Sequence, residues 1–271
     1  MRLYALIVYL FLYIPIGIIV LFSFNSGRHA SEFIGFSVKW YGKALKNPFV
    51  IEALTTSLII ALSAAFLSSI MGTAAALALQ RVRGPIKVLF DGLIYISIMV
   101  PGIVIGIATL VALVTVFDIV NPFIESFWAT AADAPKLSLG FASVIAAHTL
   151  FTMSLVIVIV RARIAGMDRS LIEASADLYA SPWGTFRQIT LPQLFPAILA
   201  GFLLSFTFSF DDFIISFFVA GSNTTLPVYV FSSIRRGITP EVNAIGSMVL
   251  AVSLTLLIFA QVLLQRGRKR S

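Results

Sequence analysis

Two adjacent acids, Asp211 and Asp212, sit inside the apolar run SFTFSFDDFIISFFVAG, and one histidine, His148, sits inside another, AAHTLF. An Asp at the centre of a lipid-crossing helix costs about 2.5 to 3.5 kcal/mol, so these residues should face protein or a water-filled cavity. A carboxylate in such a low-dielectric place attracts a cation, and an ammonium group fits that chemistry. Joint acid–base catalysis by the pair is disfavoured, because adjacent helical residues point about 100° apart. Ser205, Ser209, Asp212 and Ser216 form a stripe at i, i+4, i+7 and i+11 with Gly201 beneath it, whereas Asp211 lies with Leu204, Thr207, Phe208 and Ile215. The stripe assigns Asp212, with Ser209 and Ser216, to a polar path. Asp211 is assigned to a neighbouring helix or to another subunit. A purely structural role for both acids, pairing with a cation of a partner chain, stands beside this. His148 can hydrogen-bond a ligand on the same path or be satisfied within the packing.

The remaining chemistry is sparse. Cys is absent, which removes disulfides, thiolate metal sites and cysteine nucleophiles, and no metal cluster or cofactor is expected in this chain. No GxxxxGK[ST] loop occurs, so any ATP, with its Mg, must bind on a separate chain. The net charge is +7, but the basic residues are scattered at the ends of apolar runs and form no stripe for nucleic acid. Asp91 is a third acid, near the start of a span.

The elements that carry these residues are membrane helices. With 59% hydrophobic and 11% charged residues, the 271-residue chain falls outside the range of water-soluble domains. Apolar runs at about 3–24, 53–79, 88–117, 139–160, 194–220 and 243–264 each approach or exceed the ~20 residues needed to cross a bilayer. The runs are continuous and do not alternate, which argues against barrel strands. The expectation is an all-α membrane protein of six spans, folded as a single domain over 1–271. The first run is longer than the apolar part of a secretory signal and no small-x-small site follows, so it is read as a helix. Twelve Lys and Arg, among them Arg2, Arg81, Arg161, Arg169, Arg187, Lys269 and Arg270, fall on one side, and seven fall on the other. By the positive-inside rule both termini are cytoplasmic. Small residues at Ala53, Ser57, Ala61, Ala65, Ser68, Gly72 and Ala76 predict a close helix contact on the second span, and Pro101 with Gly102 and Gly106 predicts a kink or close crossing in the third.

Between the fourth and fifth spans lies a polar but ordered inner segment, about 168–192. It reads as two short helices, the first from Asp168 to Ala180 with Asp168 as cap and Glu173 and Asp177 at i, i+4. The second starts at Ser181 and Pro182 and is closed by Pro192. Its pattern resembles the cytoplasmic motif of bacterial ABC importer permeases, E-A-A, three residues, G, nine residues, I-x-L-P. Here Glu173, Ala174 and Ser175 are followed by Tyr179 in the glycine place and by Ile189, Leu191 and Pro192 in register. Because Tyr can extend a helix, the bend is expected to be shallower or shifted to Ser181 and Pro182.

What the resemblance implies is a type I importer permease whose coupling helix, carried by Glu173, Ala174, Ser175, Asp177, Tyr179, Ala180, Ser181, Ile189, Leu191 and Pro192, docks on an ATPase subunit. The segments YIPIGIIVLFSFN, AAHTLF, SFTFSFDDFIISFFVAG and TPEVNAIGSM are similar to those of spermidine and putrescine permeases of the second-subunit type. That implies an inner-membrane subunit with a homologous second permease, two ATPase subunits and an extracytoplasmic substrate-binding protein, and no enzyme activity of its own. Amino acids, opines, thiamine or ferric ions are the alternative substrates. A secondary transporter is the rival class, but its repeats and paired broken helices are not seen between the first and last three spans.

Overall fold

The computed structural model describes residues 2–29, 32–128, 133–168 and 170–268, without the side chains of 2, 3 and 256–268. Arg169, Lys269 and Arg270 of the charge count therefore lie outside the described residues. The elements in chain order are α1 (Arg2–Ser23), α2 (Lys39–Lys46), α3 (Pro48–Leu79), α4 (Pro85–Met99), α5 (Gly102–Glu125) and α6 (Phe141–Ala165). They continue with α7 (Ser170–Asp177), α8 (Pro182–Thr185), a π-helical turn (Phe186–Thr190), α9 (Leu191–Asp211), α10 (Ile214–Val219), α11 (Leu226–Arg236) and α12 (Pro240–Arg268). Among the described residues the fold is all-α, with one isolated bridge between Asn25 and Phe36.

Among the described residues, five segments are long and apolar enough to cross a membrane: Tyr4–Ser23, Pro48–Leu79, Gly102–Glu125, Phe141–Ala165 and Pro182–Asp211. The sixth expected span falls in α12, which has 29 residues, about 43 Å at 1.5 Å per residue. Two expected spans are not continuous. The run 88–117 is divided between α4 and α5 at Val100–Pro101, because the residue before a proline is driven out of the helical region and Val100 takes φ −68°, ψ 134°. The run 194–220 stops at Asp212 and restarts as α10.

The chain divides into two compact units, Met1–Glu52 with Tyr229–Ser271, and Ala53–Val228. In the first, α1 packs along α12 and α2 packs against α12. Lys43 and Asn47 converge there on Glu241, at 3.1 and 2.8 Å. Asn25 is fully buried and organises the turn after α1, its Oδ1 accepting from the Gly27 and Ile34 amides and its Nδ2 donating to the His29 and Glu32 carbonyls.

In the second unit the most extensive helix contact is α6 on α9. The seven small residues of α3 are all buried, as their spacing predicts. Gly72 shows why size matters there: a Cβ would lie 2.8 Å from Cβ of Val156 and 3.1 Å from the Met153 carbonyl on α6. In lipid, where apolar side chains gain little by leaving solvent, such backbone proximity supplies the van der Waals attraction that holds helices together. Gly106 plays the same part on α5, facing the ring of Phe218 in α10, so the close crossing expected near Pro101 is present. Ala76, Leu79, Ile94, Val156, Val160 and Leu194 form one buried cluster, and Ile60, Val144, Ala147, Ile215 and Val219 form another. By contrast α1 and α5 expose apolar side chains along their length, a surface suited to lipid or other membrane helices.

Candidate functional site

Segment 168–192 is built by caps. Asp168 Oδ1 accepts from the Ser170 amide at 2.9 Å and opens α7, and that bond, with a second from the Ser170 side chain, holds the Asp168 carboxyl below its ordinary value. Glu173, Ala174 and Asp177 are exposed on α7. Ser175, in the place of the motif's last Ala, is buried, and its hydroxyl meets Thr185 Oγ1 at 2.8 Å, which ties α7 to α8. Ser181 caps α8 as expected, its Oγ accepting from the Gly184 amide at 3.1 Å.

The bend is not where tyrosine's helix propensity places it. The helix ends at Asp177, and Tyr179 takes φ +56°, the left-handed conformation in which glycine is unstrained. The Tyr179 amide donates to the Ala176 carbonyl at 2.9 Å and the Ala180 amide to the Ser175 carbonyl at 3.1 Å, the paired bonds of a Schellman end. These bonds override side-chain preference, so the chain turns at the usual glycine place. The Tyr179 ring is 96% exposed, and Leu178 and Trp183 are exposed beside it.

Pro192 does not close the second helix. It stands in the first turn of α9, inside a helix that continues from α8, where its ring cannot donate to the preceding turn. The preceding turn widens to π geometry, the Leu191 amide reaching back to the Phe186 carbonyl, so α8 runs through Ile189 into the fifth span without a gap. A cavity of about 660 Å³ lies under the segment, lined by Leu77, Arg81, Ile172, Ala176, Pro182 and Phe186 among others. Arg163 Nε donates to the Gln193 carbonyl at 3.0 Å, and Arg161 pairs with Asp91, so that acid is satisfied by the C-terminal end of α6.

At the far end of α9 the helix breaks. Asp212 takes φ −70°, ψ 117°, and its Oδ2 accepts from the Ser216 amide at 2.9 Å, starting α10. His148, 1% exposed on α6, lies in the crook. Its Nδ1 is 2.7 Å from Ser209 Oγ, and its Nε2 is 3.3 Å from Asp212 Oδ2 and 3.2 Å from Ser216 Oγ. In the neutral tautomer protonated at Nε2, the ring donates to the Asp212 carboxylate and accepts from Ser209 at Nδ1. Ser205, Ser209 and Ser216 are buried, Asp212 is half-buried, and Asp211 is exposed. The structure thus brings together Asp212, Ser209, Ser216 and His148, and points Asp211 elsewhere. Sequence reading singled out both the stripe and His148 but could not show that the histidine bridges the stripe, since His148 is 61 residues from Ser209. No group of three His, Cys, Asp or Glu among the described residues could hold a metal ion.

Comparison with known proteins adds context to this geometry. Residues 65–270 match the family described as binding-protein-dependent transport system inner membrane component. The chain is 38% identical over 265 residues to the spermidine/putrescine transport system permease protein PotC of Haemophilus influenzae, covering 97% of this chain and 96% of that protein. It is 36% identical over 264 residues to the putrescine transport system permease protein PotI of Escherichia coli, covering 96% and 89%. In three dimensions it resembles a chain of a bacterial ABC transporter involved in the import of the acidic polysaccharide alginate, with TM-score 0.73, 16% identity and coverage of 98% and 95%. At that identity the likeness concerns the fold alone.

Proposed function

The chain belongs to the binding-protein-dependent transport system inner membrane components, and from that premise we propose that it is a permease subunit of an ATP-driven importer of spermidine, putrescine or a related amine. The observation that carries the substrate class is the 38% identity, spread over nearly the whole length of both chains, to a spermidine/putrescine permease. The site chemistry is compatible: polyamines carry several ammonium groups, and the break in the fifth span presents carboxylates to them. Asp212 is engaged by His148 and the Ser216 amide, which leaves Asp211 as the exposed acid of the pair. In this reading the path runs beside the break, with Asp211 supplying the open charge and Asp212, Ser209, Ser216 and His148 forming its wall.

The partners follow from what the chain lacks and what it exposes. With no phosphate-binding loop, ATP and Mg belong to two ATPase subunits, which dock on the coupling segment around Glu173 and Tyr179. A homologous second permease completes the pathway, an extracytoplasmic protein delivers substrate, and both termini face the cytoplasm. Closure of the ATPase pair pushes α7 and α8, and the gapless connection into α9 carries the movement into the bilayer.

The test is uptake of labelled putrescine and spermidine by the full complex in proteoliposomes, driven by internal ATP. Wild type accumulates both or one of them, Asp211→Asn lowers uptake at least tenfold, and Glu173→Lys loses the ATPase on copurification. Uptake of neither amine, while the loaded complex transports an amino acid, overturns the substrate assignment. Retention of the ATPase by Glu173→Lys overturns the docking assignment.

A further inference from the structure

We propose that His148 is a positioning residue, a pin that locks the two halves of the fifth span across its break so that a push along α9 reaches α10. The inference rests on the importer reading above and goes beyond it. One imidazole, presented by α6, meets Ser209 on α9 through Nδ1 and Asp212 and Ser216 on either side of the break through Nε2. A packing histidine needs only enough partners to satisfy itself, and one element can supply them. Here the two nitrogens are spent on different half-helices.

The surroundings make the junction depend on that ring. Asp212 is extended, so no continuous backbone ladder crosses it, and α10 has only six residues. A helix that short has little stability of its own. It is held from one side by α5, where Phe218 fills the space above Gly106, and from the other by His148 and the Ser216 bonds. Thr152 Oγ1 donates to the His148 carbonyl at 2.7 Å, a further tie at the His148 turn of α6.

The consequence concerns transmission. From Leu191 to Asp211 α9 spans about 31 Å, beginning at the coupling segment and ending at the break. With the pin in place α10 follows α9. Without it the extended residue absorbs the stroke, and ATP is hydrolysed with less substrate moved.

The experiment uses the assembled importer in lipid nanodiscs and reads two quantities: amide hydrogen exchange of residues 216–220, and polyamine taken up per ATP hydrolysed in matched proteoliposomes. His148→Gln retains a donor near the Nε2 position and loses the Ser209 limb. Ser209→Ala removes the same limb from the other side, and keeps the question open should the histidine variant fail to assemble. Both are expected to speed exchange of the Ser216, Phe217 and Ala220 amides about tenfold, the effect of losing one buried hydrogen bond, and to lower uptake per ATP at least fivefold. The double variant is expected to be no worse than His148→Gln alone. Exchange and coupling ratio at wild-type levels in Ser209→Ala overturn the pin, as does a double variant whose effects simply add. The exchange measurement does not depend on the substrate, so faster exchange in a complex that takes up no polyamine supports the pin while refuting the polyamine reading.

Discussion

Replacing Tyr179 by glycine should stabilise the turn that closes α7. Tyr179 sits at φ +56°, where a side chain costs about 1–2 kcal/mol relative to the right-handed region. Glycine removes that cost and returns about 0.5–1 kcal/mol through the greater freedom of its unfolded chain. The ring is 96% exposed, so no packing within the chain is lost with it. The net gain is about 0.5–1 kcal/mol, a two- to fivefold slowing of local opening. The Ala180 amide, bonded to the Ser175 carbonyl, reports that opening directly, and its hydrogen exchange in the permease purified without ATPase subunits is the assay. Tyr179→Asn should fall between tyrosine and glycine, because Asn tolerates the left-handed region, and Tyr179→Ile should exchange faster than wild type because a branched side chain tolerates it least. Equal exchange for the glycine and isoleucine variants would refute the argument, since only backbone strain separates them in that order.

Gly72→Leu should destabilise the second unit by about 1–3 kcal/mol, because its Cβ meets Val156 and the Met153 carbonyl, which is backbone and cannot turn aside; a lowered detergent unfolding temperature checks this. Arg161→Met should cost about 1 kcal/mol by leaving Asp91 unpaired at a half-exposed site, and Asp91→Asn in the same background should restore most of it on thermal unfolding. The Asp168 carboxyl is held below its ordinary value by Ser170, so its contribution is present once the unfolded carboxyl ionises and is lost as pH falls through the folded-state value. Exchange protection of the first turn of α7 should therefore fall on acidification below the usual carboxylate range, and Asp168→Asn, which still caps, should flatten that dependence.

Composition and run length alone determined that this chain crosses a membrane as helices, because lipid leaves a backbone few other ways to satisfy its polar groups. Local chemistry determined the caps as well: Asp168 and Ser181 do what their types and neighbours dictate. The spacing of Glu173, Ile189, Leu191 and Pro192 singled out segment 168–192 for the docking role proposed above, and the small residues of α3 marked a contact face, since size at a four-residue interval is itself the cause of close packing. Tertiary structure decided the rest. Tyr179 turns left-handed because the Schellman bonds close α7 there, a balance of backbone bonds against side-chain strain that propensity does not express. The fifth span breaks at Asp212 because a histidine from α6 and the amide of Ser216 compete for its carboxylate and win over a continuing helix. Which acid is held and which is open was thus set by a neighbour distant in sequence, and helical spacing along one segment carries no information about what a different helix brings to it.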